Sequence, residues 1–184
     1  MIWWPSEVPV LSYGLLSLRP IRESDILEIF EACQDPLIPQ FTTVPLNYSM
    51  ADANYFVREK APQYFAERKE ILFVITTGNG EDEKFCGVIS FHTIDLGNHA
   101  ADLGYWIAAS ARGKGYGTQA AKLITRYGIE TMGFRRIAAQ VDPANIPSKA
   151  LLMSVGFELE GAMRNKVTGN DGSQKDMALF SLLA

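Results

Sequence analysis

The sequence predicts a single mixed α/β domain of the α+β kind, built on one mostly antiparallel sheet. Three observations carry this prediction. Three apolar strands follow one another as a meander, a glycine-rich segment then leads into a long apolar helix, and two strands close the chain around a turn signal. A run of right-handed βαβ units would instead alternate strands and helices throughout. The 184 residues suit one domain over positions 1–184.

The N-terminal segment contributes one strand and one short helix. Residues 15–19 alternate in polarity and stop at a proline, as a strand end does. Ser24 and Asp25 open a helix that ends before Pro36, because the residue preceding a proline disfavours helical backbone. Residues 34–47 contain three prolines and are expected to form an ordered loop.

A second helix is expected from Ser49 to about Arg68. Asp52 follows Ser49 at the spacing of a capping box, in which each residue satisfies a free backbone N–H at the helix start. Aromatic residues of this helix are candidate core contacts: Tyr55, Phe56 and Phe65.

The rest of the chain supplies the sheet and two more helices. The further strands are expected at residues 71–75, 85–94, 101–107, 136–141, 157–166 and 175–183. A long helix after the glycine-rich segment ends near Gly133, and another covers residues 146–155. Asn170-Asp171-Gly172 is a strong turn signal between the last two strands.

Composition excludes few classes of protein. The net charge of −4 argues weakly against a nucleic-acid-binding protein, which usually has a basic surface. Cys33 and Cys86 stand far apart, so we expect two reduced thiols and neither a disulfide nor a metal site. The first residues lack the pattern of a signal peptide, and no apolar stretch reaches the roughly 18 residues of a membrane span.

The segment Arg112-Gly113-Lys114-Gly115-Tyr116-Gly117-Thr118 carries the strongest chemical signal. Glycines let a backbone bend tightly and approach a ligand, and the free N–H groups at a helix start bind anions such as a pyrophosphate. Arg112 and Lys114 add positive charge. The segment matches neither the Walker motif nor a dinucleotide fingerprint. Taken alone, it is equally consistent with a plain strand-to-helix turn.

Segments on both sides of this glycine loop form motifs in a fixed order. They are Leu18-Arg19-Pro20 with Ser24-Asp25, Asp102-Leu103-Gly104-Tyr105-Trp106-Ile107, Asn145-Ile146-Pro147-Ser148 with Gly156-Phe157, and Asp171-Gly172 with Asp176-Met177. Together with the Arg-x-x-Gly-x-Gly pattern of the loop, they resemble the GNAT superfamily of acetyltransferases. The subgroup that they resemble includes the ribosomal-protein N-terminal acetyltransferases RimJ and RimL. The resemblance covers nearly the whole chain.

The resemblance implies a GNAT fold, with a splayed sheet of about seven strands and about four flanking helices, and acetyl-CoA as the co-substrate without a metal. The strand that bears Trp106 is expected to part from strand 136–141, so that the pantetheine arm lies between them. The loop amides are expected to hold the pyrophosphate. The implied cofactor-binding residues are Trp106, Ile107, Arg112, Gly113, Lys114, Gly115, Tyr116, Gly117, Thr118 and Asn145.

The same resemblance names two candidate catalytic residues. Asp102 matches the acidic residue that several relatives use, directly or through water, to take a proton from the amine; the alternative is a solvent-facing charge. Ser148 is a candidate for protonating the thiolate or holding the thioester sulfur; the alternative is a helix first-turn hydroxyl. Many GNAT enzymes carry a tyrosine where Leu152 stands here. We expect direct transfer in a ternary complex, with backbone N–H groups near Ile107 holding the oxyanion.

The acceptor is expected to be a primary amine, either a protein N-terminus or a small molecule, and the motifs do not choose between them. Residues 34–47 and the hairpin around Asn170 are expected to build its site. An alternative from another class is a regulatory domain that binds coenzyme A without turnover. We expect a cytoplasmic protein with no nucleic-acid or membrane partner, and a homodimer stays open.

Overall fold

The computed structural model describes residues 2–169 and 172–184. Within them the strands are β1 (Leu11–Tyr13), β2 (Leu16–Arg19), β3 (Glu70–Thr77), β4 (Lys84–Asp95), β5 (Ala100–Ile107), β6 (Arg136–Val141), β7 (Glu158–Thr168) and β8 (Gln174–Leu183). The α-helices are α1 (Ile26–Ala32), α2 (Leu37–Phe41), α3 (Met50–Tyr55), α4 (Ala61–Ala66), α5 (Tyr116–Tyr127) and α6 (Ile146–Val155). A π-helical turn, Phe56–Lys60, joins α3 to α4, and another, Gly128–Met132, extends α5.

The described strands form one sheet in the order β1-β2-β3-β4-β5-β6-β8-β7. Neighbours are antiparallel except β5 and β6, which run parallel. The predicted mixed α/β fold with a mostly antiparallel sheet is therefore confirmed. The sheet has one strand more than the expected seven or so: the additional strand is β1, which forms a short hairpin with β2. Asn170 and Asp171 of the expected turn lie outside the described residues.

Two local expectations in the N-terminal half are wrong. Residues 34–47 contain the short helix α2, because the Asp35 carboxylate accepts the Leu37 N–H at 3.0 Å and so satisfies a free donor of its first turn. Prolines are tolerated there, since the first turn needs no N–H from them. Tyr55 is 51% exposed and not a core residue, whereas Phe56 and Phe65 pack partly buried.

A buried ion pair explains the opening motif of the chain. Arg19, at the end of β2, donates to both carboxylate oxygens of Asp25 at 2.9 and 2.7 Å, and the two residues are only 4% and 1% exposed. Asp25 also accepts the Arg22 N–H at 2.7 Å. Buried charges persist when they are paired and hydrogen-bonded in this way. The pair fixes the start of α1 against the sheet.

Two hydrophobic clusters hold the helices to the sheet. The larger contains Phe73 and Ile124, both fully buried, and packs α5 on the strands. The smaller lies beneath α1, α2 and α3, with Ile29 and Ile38 at its centre. We call these three helices and their connections, residues 26–55, the cap.

The strands β5 and β6 part from each other halfway along. Their parallel pairing runs from Ala100 opposite Arg136 to Asp102 opposite Ala138. β5 nevertheless continues to Ile107 and β6 to Val141. A wedge-shaped opening, the β5/β6 gap, therefore lies between their carboxyl ends.

Tyr127 makes a stability prediction possible. Its hydroxyl is buried in the larger cluster and has no hydrogen-bond partner among the described residues. An unsatisfied buried hydroxyl costs on the order of 1 kcal/mol. We expect Tyr127→Phe to leave the free energy of unfolding unchanged or raise it by up to about 1 kcal/mol, as urea denaturation would show. A loss of stability would mean that the hydroxyl is satisfied by an ordered water.

Candidate active site

The glycine loop, residues 112–118, opens at the mouth of the β5/β6 gap. Gly113 and Gly115 have φ of 74° and 78°, in the left-handed region that glycine tolerates best. A Cβ at Gly113 would meet nothing within 4 Å, and one at Gly115 only the Gln119 side chain, at 3.9 Å. Gly115 is the N-cap of α5. The free N–H groups in the first turn of α5 therefore lie beside open space. This is the arrangement that binds a phosphate group.

Gly117 has a different role in the same loop. Its φ is not positive, but a Cβ there would lie 2.9 Å from Leu151 and 3.3 Å from Ile107. The absent side chain lets the first turn of α5 pack closely on the end of β5 and on α6. The loop is thereby fixed next to the gap.

Gly87 on β4 is a structural requirement that the sequence argument missed. Its φ is 148°, and a Cβ there would come within 2.2 Å of the Trp106 carbonyl oxygen on β5. The register of β3 against β4 shifts close by, between Ile75 and Thr76. A glycine within an otherwise apolar strand is the available signal for such a close backbone approach.

Arg112 ties the glycine loop to two other parts of the molecule. Its Nε donates to the Ile107 carbonyl at 2.9 Å, and its Nη1 donates to the Asp35 carboxylate in the cap. The hydrogen bond from the Leu37 N–H, and then the Arg112 guanidinium, lower the pKa of the Asp35 carboxyl group. Arg112 therefore contacts the cap and β5. Lys114 is exposed, and its ammonium group donates to the Ser110 carbonyl at 2.7 Å.

The backbone of Ile107 faces the gap. The next N–H, of Ala108, donates to the Cys86 carbonyl on β4 at 2.9 Å. Successive residues in a strand direct their backbone groups to alternate sides. The N–H and carbonyl of Ile107 therefore point away from β4, in agreement with the Arg112 contact to that carbonyl.

Successive side chains of β5 lie on opposite faces of the sheet. Tyr105 packs against the larger cluster, together with α5 and α6. Trp106 packs against the cap cluster, with its ring centroid 5.9 Å from that of Phe85. By the same alternation, Asp102 shares the cap face with Trp106. The gap thus connects the face of the sheet that carries α5 and α6, the α5 face, with the face that carries the cap, the cap face.

Asp102 lies where β5 and β6 part. Its Oδ2 accepts a hydrogen bond from Gln140 Nε2 on β6 at 3.1 Å, and it pairs in register with His92 on β4. Its side chain is partly buried. A carboxylate held by one amide keeps other lone pairs free to accept a proton.

Glu160 offers a contrast to Asp102. It accepts from Arg136 at 2.6 Å and from the Ser181 hydroxyl at 2.7 Å. The Arg136 guanidinium, and then the Ser181 hydroxyl, lower the pKa of this carboxyl group to about 2. So weak a base does not serve for proton abstraction near neutral pH.

Ser148 and Asn145 stand at the start of α6, on the other side of the gap. Asn145 is the N-cap, and its Oδ1 accepts the Ser148 N–H at 3.2 Å. The Ser148 hydroxyl lies 2.8 Å from the Tyr105 hydroxyl of β5. Leu152 is fully buried in the larger cluster.

Comparison with known proteins identifies the fold. Residues 16–158, well over half of the chain, match the family described as the acetyltransferase (GNAT) domain. The chain belongs to the GNAT acetyltransferase family. The predicted family and the predicted GNAT fold are confirmed by this match and by the solved structures that resemble it.

Several GNAT relatives are named as acetyltransferases of ribosomal proteins. YdaF of Bacillus subtilis, provisionally named a ribosomal N-acetyltransferase, is 36% identical over 102 residues, 55% of each chain. The ribosomal protein uS5-alanine N-acetyltransferase of Escherichia coli is 34% identical over 103 residues, 55% of this chain and 53% of that one. The chain thus spans about half the length of these two relatives. RimJ of Mycobacterium smegmatis, solved with a CoA disulfide, has a TM-score of 0.84 at 25% identity, covering 98% of this chain and 88% of RimJ.

The structure brings most of the sequence-predicted GNAT site residues around one opening. Ile107, the glycine loop, Asn145 and Ser148 surround the gap, and Asp102 lies at its closed end. Their individual roles stay predictions. Among the described residues, no group of three or more His, Cys, Asp or Glu side chains could hold a metal ion. Nor does the described part of the chain contain a helix long and apolar enough to cross a membrane.

Proposed function

We propose that this chain transfers an acetyl group from acetyl-CoA directly to a primary amine. The observation that carries the proposal is the β5/β6 gap, with an anion-binding glycine loop at its mouth and a carboxylate at its closed end. The gap gives an extended thioester a path from the α5 face to the cap face. Family membership and the names of the relatives support an N-acetyltransferase rather than a regulatory domain without turnover.

Each part of the gap has a role in this reaction. The free N–H groups at the start of α5 bind the pyrophosphate, and the exposed Lys114 adds positive charge. The Ile107 N–H, which faces the gap, donates to the thioester oxygen as it becomes an oxyanion. Asp102 accepts the proton that the amine loses, directly or through a water. Ser148 donates a hydrogen bond to the departing sulfur.

The two cysteines support direct transfer over an acyl-enzyme. Burial raises the pKa of the Cys33 thiol to about 12 and also raises that of Cys86. Both are buried free thiols and hold little of the nucleophilic thiolate at neutral pH. The attacking nucleophile is therefore the acceptor amine itself.

A protein N-terminal α-amine is the acceptor that we favour, in a cytoplasmic setting. Relatives are named for ribosomal-protein substrates. Chemistry points the same way, because an α-amine of pKa near 8 becomes neutral at pH 7 at a cost of only about 1 kcal/mol, against roughly 4 kcal/mol for a lysine-like amine. A single carboxylate, or a water that it orders, therefore meets the need of an α-amine more easily than that of a lysine-like amine. Small amines remain the second candidate.

Binding of acetyl-CoA tests the cofactor half of the proposal. At 100 times its Kd, acetyl-CoA should stabilise the folded chain by about 2.7 kcal/mol and raise the melting temperature accordingly. Dephosphorylated pantetheine, which lacks the pyrophosphate, is the matched control and should give a much smaller shift. A melting temperature unmoved by millimolar acetyl-CoA would contradict the assignment.

Release of free thiol on adding acceptors tests the acceptor half. The panel contains peptides with free N-termini, the same peptides with blocked N-termini and one internal lysine, and small polyamines. We expect thiol release with the free N-termini and little with the blocked peptides. Release with polyamines alone would favour the small-molecule acceptor, and tight binding without release would favour the regulatory domain.

A further inference from the structure

Tyr105 makes an unusual contact across the open end of the sheet. It lies on β5 beyond the last β5–β6 pair, and its hydroxyl reaches the first turn of α6, 2.8 Å from Ser148 Oγ and 3.4 Å from the Ser148 carbonyl. The two residues are 43 positions apart in the sequence. The contact bridges the β5/β6 gap on the α5 face.

The helix α6 itself brings no phenol to this place. Leu152 occupies the position of the tyrosine that many GNAT enzymes use, and it is fully buried in the core. The phenol of Tyr105 therefore approaches from the strand on the opposite side of the gap. It reaches the same helix turn through Ser148.

We infer that Tyr105 is a positioning residue, whose hydroxyl donates to Ser148 Oγ and so directs the serine O–H toward the departing sulfur of coenzyme A. This inference rests on the proposed acetyl transfer. A phenol is the stronger donor and the weaker acceptor of the two hydroxyl groups, which favours donation from Tyr105 to Ser148. Burial raises the pKa of Tyr105 to about 12, so the phenol keeps its proton throughout the working pH range.

The N-cap of α6 uses the backbone of Ser148 and leaves the serine hydroxyl available to Tyr105. Its N–H is taken by the Asn145 cap, and its Oγ has one proton to give and two lone pairs to receive. When Tyr105 fills one lone pair, the serine proton can point to a second partner. Without Tyr105, the Ser148 O–H is free to turn to nearby carbonyl groups, as first-turn serines commonly do.

The chemical step needs a hydrogen bond at sulfur and not a proton from tyrosine. The amine nitrogen forms a bond to the acetyl carbon, the C–S bond breaks, and its electron pair leaves with the sulfur. The proton lost by nitrogen goes to Asp102 or water, and the thiolate later takes one from solvent. A thiolate with a pKa near 8.5 is too weak a base to deprotonate an alcohol or this phenol, so Ser148 stabilises it by donation alone.

Removal of the Tyr105 hydroxyl tests the inference. Tyr105→Phe keeps the ring, and under single-turnover conditions it should slow acetyl transfer about fivefold, the worth of one net hydrogen bond. KM for acetyl-CoA should stay within about twofold, because the contact acts on the transition state. Ser148→Ala should slow the reaction more, and adding Tyr105→Phe to it should cost nothing further.

A control separates this role from packing. Tyr127→Phe removes another buried phenol hydroxyl, one without a partner among the described residues, and should leave the rate unchanged.

An unchanged rate in Tyr105→Phe overturns the inference. So does a loss of rate from Tyr105→Phe that is equally large in the wild-type chain and in the Ser148→Ala variant. If Tyr105→Phe folds poorly, the rate per acetyl-CoA-binding site decides, and a wild-type value overturns the inference. If the wild-type chain itself transfers no acetyl group, the proposed function fails. If the wild-type chain is active and Tyr105→Phe leaves its rate unchanged, only the present inference fails.

Discussion

Asparagine in place of Asp102 is expected to lower kcat by about 100-fold, the lower end of what general bases contribute. The substitution keeps the size of the side chain and can keep the contact with Gln140, but it removes the lone-pair basicity that accepts the proton. KM for acetyl-CoA should change little, since the glycine loop lies at the other end of the gap.

The pH–rate profile distinguishes proton transfer from binding at Asp102. In the wild type, the rate falls with decreasing pH as the amine is protonated. If Asp102 accepts the proton, the acidic limb of the profile should change in the Asn variant, because no carboxylate remains there to take it. If Asp102 only binds the acceptor, KM for the amine should rise while kcat and the profile stay as they are.

Asp95→Asn is the matched control for Asp102→Asn. Asp95 ends β4 and holds the exposed Asn98 turn, away from the gap, so this variant should keep wild-type kcat. Wild-type kcat in Asp102→Asn, with an unaltered profile, would remove Asp102 from the mechanism and leave ordered water as the base.

Valine in place of Gly115 is expected to raise the Kd for acetyl-CoA by at least about 100-fold, since loss of the phosphate contacts removes several charge-assisted hydrogen bonds. The space above Gly115 is open in the protein, so a branched side chain would project into the place that we assign to the pyrophosphate. Left-handed backbone also costs a β-branched residue roughly 1–2 kcal/mol. Calorimetric titration measures the Kd, and urea denaturation measures the strain.

Gly14→Val separates backbone strain from lost binding. Gly14 also has a left-handed φ, of 60°, and open space around it, but it lies in the β1–β2 hairpin. It should lose similar stability and bind acetyl-CoA normally. Equal affinity in Gly115→Val and wild type would reduce the glycine loop to a simple turn.

Local sequence signals predicted most of the fold. The capping box of Ser49 and Asp52 forms as expected, with Asp52 N–H donating to Ser49 Oγ at 3.2 Å. Strand β6 and helix α6 have the predicted bounds because alternation and an Asn cap are local properties. The helix α2 was missed because three prolines suggested a loop, whereas Pro36 and Pro39 stand at its start, where no proline N–H is needed, and Asp35 accepts the Leu37 N–H.

The candidate site could be predicted less well from the sequence, because its main contacts join residues that lie far apart in the chain. The sequence placed Arg112 with the pyrophosphate, and nothing local indicated its pairing with Asp35. The Tyr105–Ser148 contact depends on where two strands part, which no periodicity encodes. Gly87 carried a signal, but its meaning required knowledge of the neighbouring strand.

Asp35 and Arg112 lie 77 positions apart, yet they join the cap to the glycine loop. A cap transplanted from a relative without an acid at position 35 would leave a half-buried guanidinium without its anionic partner, at a cost in loop geometry as well as in stability. The cap and the glycine loop are therefore expected to be exchangeable only as a pair. We expect a chimera that takes its cap from a relative to keep the glycine loop in place when the new cap carries an acid at position 35, and to displace the loop when it does not.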